Sequence, residues 1–203
     1  MAHNIDKIFY INLNKRQDRR TLIENELKEF GLLNYERFEA IETLGMGFIG
    51  CANSHLSVLK IAKERNFKNI LILEDDFTFI INKTQLECQL NNFFALEIPF
   101  DVCMLSYNMI QYEPTQYSII NKVIDAQSAS GYIVNSHYYD KLIHLYEIAI
   151  PLLESTRQHW IYANDQIWKQ LQKNDNWYFF IERIGKQRAG YSDNAECYMN
   201  YDS

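Results

Sequence analysis

Three adjacent carboxylates, Glu74-Asp75-Asp76, follow directly on an unbroken apolar run, Ile70-Leu71-Ile72-Leu73. Side by side they repel one another, and hard oxygen ligands of this kind suit Mg²⁺ or Mn²⁺, ions that also grip a diphosphate. If the strand continues, Glu74 and Asp76 project to one side and Asp75 to the other. A solvated acidic turn fits the same three residues. A second cluster, Asn12-Leu13-Asn14-Lys15-Arg16-Gln17-Asp18-Arg19-Arg20, is basic. A strand-end loop leading to a helix amino terminus beside arginines suits phosphate, although Lys and Arg on a first helical turn also serve as solvated surface. It is not a Walker loop, because the glycines and the Gly-Lys-Ser/Thr ending are absent. Gly45 to Gly50 form a third feature, followed by Cys51-Ala52-Asn53-Ser54-His55. Neighbouring Ser and His make a poor nucleophile–base pair, since such partners converge from distant segments, so spacing alone reads His55 as a hydrogen-bonded structural histidine. Asp165 opens a later helical segment, where a carboxylate is either a base facing a substrate or an acid favoured by the helix dipole. Gly131 either brings backbone close to a ligand or starts a strand. Trp160, Trp168 and Trp177 either stack on sugar faces or fill the core.

The elements needed to position these residues are legible in the periodicity. Lys7–Leu13, Tyr35–Ile41 and Asn69–Leu73 read as strands, with helices over Arg16–Phe30 and Cys51–Arg65 between them. That order predicts a right-handed βαβαβ half with the acidic triplet at the carboxyl end of a central strand, where open α/β sheets bind ligands. Further on, the pattern predicts a helix near Gln85–Leu96, a strand at Asp101–Leu105 and hairpin-like segments from Tyr107 to Asp125. A strand at Gly131–Val134, helices at His137–Ile148 and Asp165–Gln172, and a strand at Trp177–Ile181 complete it. The fold class is therefore α/β, a central mixed, mostly parallel sheet flanked by helices. The expectation is one domain over residues 1–203, with a nucleotide-binding half to about residue 105 and an acceptor-side half from about 106.

Composition narrows the classes. Of 203 residues, 47% are hydrophobic and 23% charged, enough for a packed core and too apolar for a disordered chain. The net charge of -6 argues against a nucleic-acid partner, which needs a basic surface. The four cysteines show neither metal-finger nor disulfide spacing, and no signal or membrane-spanning run is evident, so a cytoplasmic location is expected.

Several blocks together resemble glycosyltransferase family 25. They are Phe9-Tyr10-Ile11-Asn12-Leu13 with Arg19-Arg20, then Glu36-Arg37-Phe38-Glu39-Ala40-Ile41, Gly50-Cys51-Ala52-Asn53-Ser54-His55 and Ile72-Leu73-Glu74-Asp75-Asp76. The likeness continues through Ala129-Ser130-Gly131-Tyr132-Ile133-Val134, Asn164-Asp165-Gln166, and Gln187 to Ser192-Asp193. The family includes lipopolysaccharide, lipooligosaccharide and collagen hydroxylysine galactosyltransferases. The resemblance implies a GT-A-type fold, a UDP-hexose donor, a divalent metal (Mn²⁺ or Mg²⁺), inversion at the anomeric carbon and a glycan or glycoprotein acceptor. It assigns Glu74 and Asp76 to the metal. It assigns Asn12, Leu13, Arg20, Ala40, Glu42, Ser54, His55, Asp75 and Gly131 to the donor side, and makes Asp165 the candidate base. A fold-keeping protein that binds the donor without turnover is the alternative, and a homodimer is compatible with either. The late block departs from the family in lacking a proline before Gln187.

Overall fold

The structure, a computed structural model, describes residues 4–192 and 197–200. Strands β1 (Lys7–Asn12), β2 (Tyr35–Glu39) and β3 (Asn69–Glu74) alternate with helices α1 (Gln17–Glu29) and α2 (Gly47–Glu64). Both β2 and β3 pair with β1 in parallel, so the expected βαβαβ unit forms. Successive side chains on a strand face opposite ways, and here each face is covered. Ile70 and Ile72 join Ala52, Val58 and Leu59 of α2 on one side. Leu71 and Leu73 join Ile23 and Leu27 of α1 on the other. Burying each such side chain contributes roughly 1.5–3 kcal/mol.

Then follow β4 (Phe77–Phe79), α3 (Lys83–Ala95), β5 (Val102–Met104), β6 (Asn108–Glu113), β7 (Ile120–Gln127) and β8 (Gly131–Asn135). Asn82 and Gln85 cap α3 reciprocally, each side chain taking the other's backbone N–H. One 3₁₀ turn leads into α4 (Tyr139–Thr156), α5 (His159–Tyr162), α6 (Asn164–Ile167), α7 (Lys169–Gln172) and β9 (Trp177–Phe180). Short strands β10 (Gly185–Gln187), β11 (Gly190–Ser192) and β12 (Cys197–Met199) end the described chain.

The main sheet runs β2-β1-β3-β8-β5-β9-β7-β6. Six of these strands point one way, and β8 and β7 oppose them, which makes the sheet mixed. Because β8 lies between β3 and β5, the halves expected to meet near residue 105 interleave within one sheet.

Three helix expectations need correction. The second helix begins at Gly47, not Cys51, since its first turn packs on the loop after β2. A Cβ on Gly50 would stand 2.2 Å from the Ile41 carbonyl oxygen, so glycine there permits close packing. The helix expected at His137–Ile148 runs on to Thr156 with Pro151 inside it, and Arg157 closes it in the left-handed conformation. The segment Asp165–Gln172 is two short helices rather than one. Among the described residues, no helix is long and apolar enough to cross a membrane.

Candidate active site

The acidic triplet lies where β3 ends beside β1. Asp75 is buried and held from two sides: Asn12 Nδ2 donates to its Oδ2 at 2.7 Å, and Arg19 Nη1 to its Oδ1 at 2.8 Å. Arg37 Nε donates in turn to Asn12 Oδ1 at 3.0 Å, fixing the amide that faces Asp75. Arg19 also lies 3.3 Å from Asp76 Oδ2 and donates to the Tyr191 carbonyl at 2.7 Å, tying β11 to this wall. Glu74 Oε1 is 3.2 Å from His55 Nε2 and accepts the Cys51 thiol at 3.4 Å, while His55 Nδ1 is 2.8 Å from the Tyr132 hydroxyl.

Burial and mutual repulsion dominate the electrostatics. Burial, then the charge of Glu74, pushes the Asp76 carboxyl up to about 7, with Arg19 and the Gln187 side chain pulling the other way. Burial also raises Asp75, against the pull of Arg19 and Asn12. Burial opposes ionisation of Glu74 as well, yet the hydrogen bond and charge of His55 and the Cys51 contact hold its carboxyl below the usual range. Asp75 and Asp76 thus share the guanidinium of Arg19, while Glu74 rests mainly on His55 and Cys51. Asp76 Oδ1 is buried with no hydrogen-bond partner among the described residues. An orphaned carboxylate oxygen beside a second carboxylate is a hard-oxygen donor set, and it fits a divalent cation.

These groups border a cavity of about 260 Å³. Leu13, Ala40, Glu42, Ser54, Glu74, Asp75 and Asp76 line it. Ser54 Oγ accepts the Ile41 N–H at 2.9 Å and donates to the Gly50 carbonyl at 2.7 Å, so it pins the loop after β2 to α2. Glu42 pairs with Lys15 at 2.7 Å across the cavity mouth. Asn12 and His55 lie behind the lining as supports for Asp75 and Glu74.

Other expected residues stand outside the lining. The Arg20 side chain turns to Glu24 at 2.9 Å, and Arg19 takes the cavity position instead. The helical period explains the exchange, because Arg19 shares the inward stripe of Ile23 and Leu27 at four-residue spacing. Gly131 pairs with Leu73 in the sheet, and a Cβ there would meet the Phe77 ring at 2.5 Å, so its smallness serves core packing. Asp165 Oδ2 accepts the Ser128 N–H at 3.0 Å. Ser128 sits at φ 84°, a left-handed conformation that this bond helps hold. Its hydroxyl lies 2.9 Å from that of Ser130, which donates to Ser106 at 2.8 Å, and 3.5 Å from Gln187 Oε1 on the cavity wall. Trp168 and Trp177 are fully buried and Trp160 is exposed. Asp193 lies outside the described residues. Arg19, Cys51, Gln187 and Tyr191 line the cavity without having been assigned to it, although each falls within a block that carries the family resemblance, and Arg19 also lies on the apolar stripe of its helix.

The sequence profile of glycosyltransferase family 25 (LPS biosynthesis protein) matches residues 42–168. Procollagen galactosyltransferase 2 of Homo sapiens is 25% identical over 170 residues, covering 68% of this chain and 27% of that protein. A glycosyltransferase 25 family member of Drosophila melanogaster is 29% identical over 103 residues, covering 37% and 17%. The chain spans less than a third of the length of these curated relatives. Among solved structures, mannose-1-phosphate geranyltransferase from Thermus thermophilus shares the fold, with a TM-score of 0.53 at 9% identity over 89% of this chain and 75% of that one.

Proposed function

Because the chain belongs to glycosyltransferase family 25, we propose that it moves a hexose, galactose, from a UDP-sugar to a hydroxyl of a glycan or glycoprotein acceptor, with inversion at the anomeric carbon. The observation that carries this reading is the wall of Glu74, Asp75 and Asp76, steadied by Arg19 and open to a 260 Å³ cavity at the carboxyl ends of β1 and β3. The relatives named as galactosyltransferases support the choice of sugar.

In this reading the donor lies in the cavity with its diphosphate toward Arg19 and the acidic wall. A divalent cation, Mn²⁺ or Mg²⁺, held by Glu74 and Asp76 would supply Lewis-acid compensation for the charge that develops on the leaving diphosphate. Arg19 contributes fixed positive charge at the same place. Ala40 and Glu42, past the end of β2, face the nucleoside, and Ser54 keeps that loop in position. Asn12 and His55 act through the carboxylates they hold. Asp165 is the proposed base for the acceptor hydroxyl, freed from the Ser128 N–H when the acceptor arrives. The four free cysteines support a reducing, cytoplasmic setting.

One observation favours a second reading, a donor-binding protein without turnover: Asp165 is engaged by backbone and lies outside the cavity lining. Both readings are tested by incubating the protein with Mn²⁺ and a panel of UDP-sugars, with and without glycan acceptors, and following UDP release. Acceptor-dependent release from UDP-galactose supports transfer. Tight UDP binding with no release from any donor overturns it in favour of the second reading.

A further inference from the structure

We propose that Cys51, His55 and Glu74 form a binding site for a thiophilic divalent cation of the zinc class, completed by the side-chain oxygen of Asn164. Cys51 and His55 lie one turn apart on one face of α2, and Glu74 meets them from the end of β3. Cys51 Sγ is 3.4 Å and His55 Nε2 3.2 Å from the same oxygen, Glu74 Oε1, and all three donor atoms lie within 4.8 Å of one another. Tetrahedral zinc bonds of ~2.0–2.3 Å require donor–donor separations of about 3.4–3.6 Å. Two of the three edges, those to Glu74 Oε1, are therefore near that length before any ion enters, and the third, between Cys51 and His55, lies within 4.8 Å. Sulfur and imidazole donors select zinc-class ions over Mg²⁺ or Mn²⁺, so this donor set differs in kind from the oxygen pair of Glu74 and Asp76.

Two further features point to a cation. His55 uses its second ring nitrogen on the Tyr132 hydroxyl at 2.8 Å, the kind of outer support that orients a ligating histidine. Asn164 Nδ2 lies 3.1 Å from Cys51 Sγ, while its Oδ1 is buried and has no partner among the described residues. A buried acceptor without a partner is costly. Turning the amide over exchanges its nitrogen and oxygen and sets that oxygen beside Cys51 Sγ as a fourth donor, with the amide N–H groups taking the buried position it leaves. On binding, the Cys51 S–H bond breaks, a sulfur–metal bond forms and the proton passes to solvent. Since Glu74 belongs to both donor sets, an ion here competes with one held through Asp76.

The test reads metal binding rather than sugar transfer, so its failure is distinct from failure of the proposed activity. The full chain carrying Cys88→Ser and Cys197→Ser, which removes the exposed thiols, is stripped with chelator and titrated with Co²⁺. The expected result is a near-ultraviolet thiolate-to-cobalt band with strong visible bands of a tetrahedral ion, saturating at one equivalent and bleached by Zn²⁺. Cys51→Ser should remove the thiolate band, and Asn164→Ala should weaken Zn²⁺ binding about 10-fold or more. Absence of the band in the parent chain, or its survival in Cys51→Ser, overturns the site. Unchanged affinity in Asn164→Ala overturns the fourth donor. Should Cys51→Ser fail to fold, X-ray absorption of the zinc-loaded parent decides: one sulfur at ~2.3 Å with nitrogen and oxygen at ~2.0–2.2 Å supports the site, and a shell without sulfur overturns it.

Discussion

The two regions that meet at the cavity are built by opposite means. On the β1–β3 side, three carboxylates sit at least half buried around one guanidinium, and a carboxylate oxygen is left without a partner among the described residues. On the β7–β8 side, Ser106, Ser128, Ser130 and Gln187 form a chain of neutral hydroxyl and amide contacts, anchored by Asp165 on the Ser128 N–H. The first region holds unbalanced charge, and the second fixes geometry. An active site needs both: concentrated charge to meet a diphosphate and stiff backbone to aim an acceptor.

Asp165 is where the contrast breaks most sharply, because its carboxylate anchors the neutral side's network through the Ser128 N–H. Asp165→Asn keeps an oxygen that can accept the Ser128 N–H but removes basicity. If Asp165 is the base, transfer falls by ~10²–10⁴-fold while UDP affinity and melting temperature stay near wild type. Asp165→Ala removes the anchor as well, costing about 1–3 kcal/mol for the stranded N–H. A near wild-type rate in Asp165→Asn, with loss confined to Asp165→Ala, would leave an anchoring role alone, and the search for a base would move to Asp193.

Asp76 gives the next effect, on the charged side. Asp76→Asn should weaken Mn²⁺ and UDP binding together and lower transfer by ~10²–10³-fold, since each 1.36 kcal/mol of lost transition-state stabilisation is tenfold. Stability should move the other way. A carboxyl raised to about 7 in the fold binds its proton more tightly there than in the unfolded chain. Its contribution to stability is then fully present below about pH 4 and is lost as pH rises through 7. The metal-free variant should therefore melt above metal-free wild type at pH 8, and the gap should close toward pH 5. The same proton competes with the cation, so wild-type Mn²⁺ affinity should fall roughly tenfold per pH unit below 7. Flat Mn²⁺ affinity between pH 5 and 8 would detach Asp76 from the cation.

The contrast also explains what the sequence disclosed. The charged side was legible because Glu74, Asp75 and Asp76 are contiguous and the strands beneath them alternate cleanly between two apolar faces. The neutral side was legible only through the resemblance, which touches Ser130, Asp165 and Gln187 in three separate blocks. Its parts come from β5's end, the β7–β8 turn, α6 and β10, and no local period joins Ser106 to Gln187. Gly131 shows the same limit, since only the packed Phe77 ring reveals what its missing side chain makes room for. The early start of α2 was hidden because Gly47 and Gly50 read as loop punctuation until Ile41 is seen against them.

The smallest effect is expected at Arg20, and it sharpens the assignment of charge on the first wall. Arg19 and Arg20 are neighbours of identical chemistry, and only the helical stripe separates them. The Arg19 side chain is 14% exposed and reaches two buried carboxylates, so Arg19→Ala strands charge and should cost about 3–5 kcal/mol together with UDP affinity. Arg20 forms a half-buried pair with Glu24 one turn along α1, a contact that water and salt partly screen and that Glu24 shares with the Tyr10 hydroxyl. Arg20→Ala should therefore lower the melting temperature only slightly, more at low salt than at high, and leave UDP affinity within about two-fold of wild type. The quantities follow from one titration and two melting curves per variant, one at low salt and one at high. If instead Arg20→Ala weakens UDP binding as much as Arg19→Ala does, the diphosphate extends past the cavity along the outer face of α1, and the donor pose proposed for this wall must be redrawn.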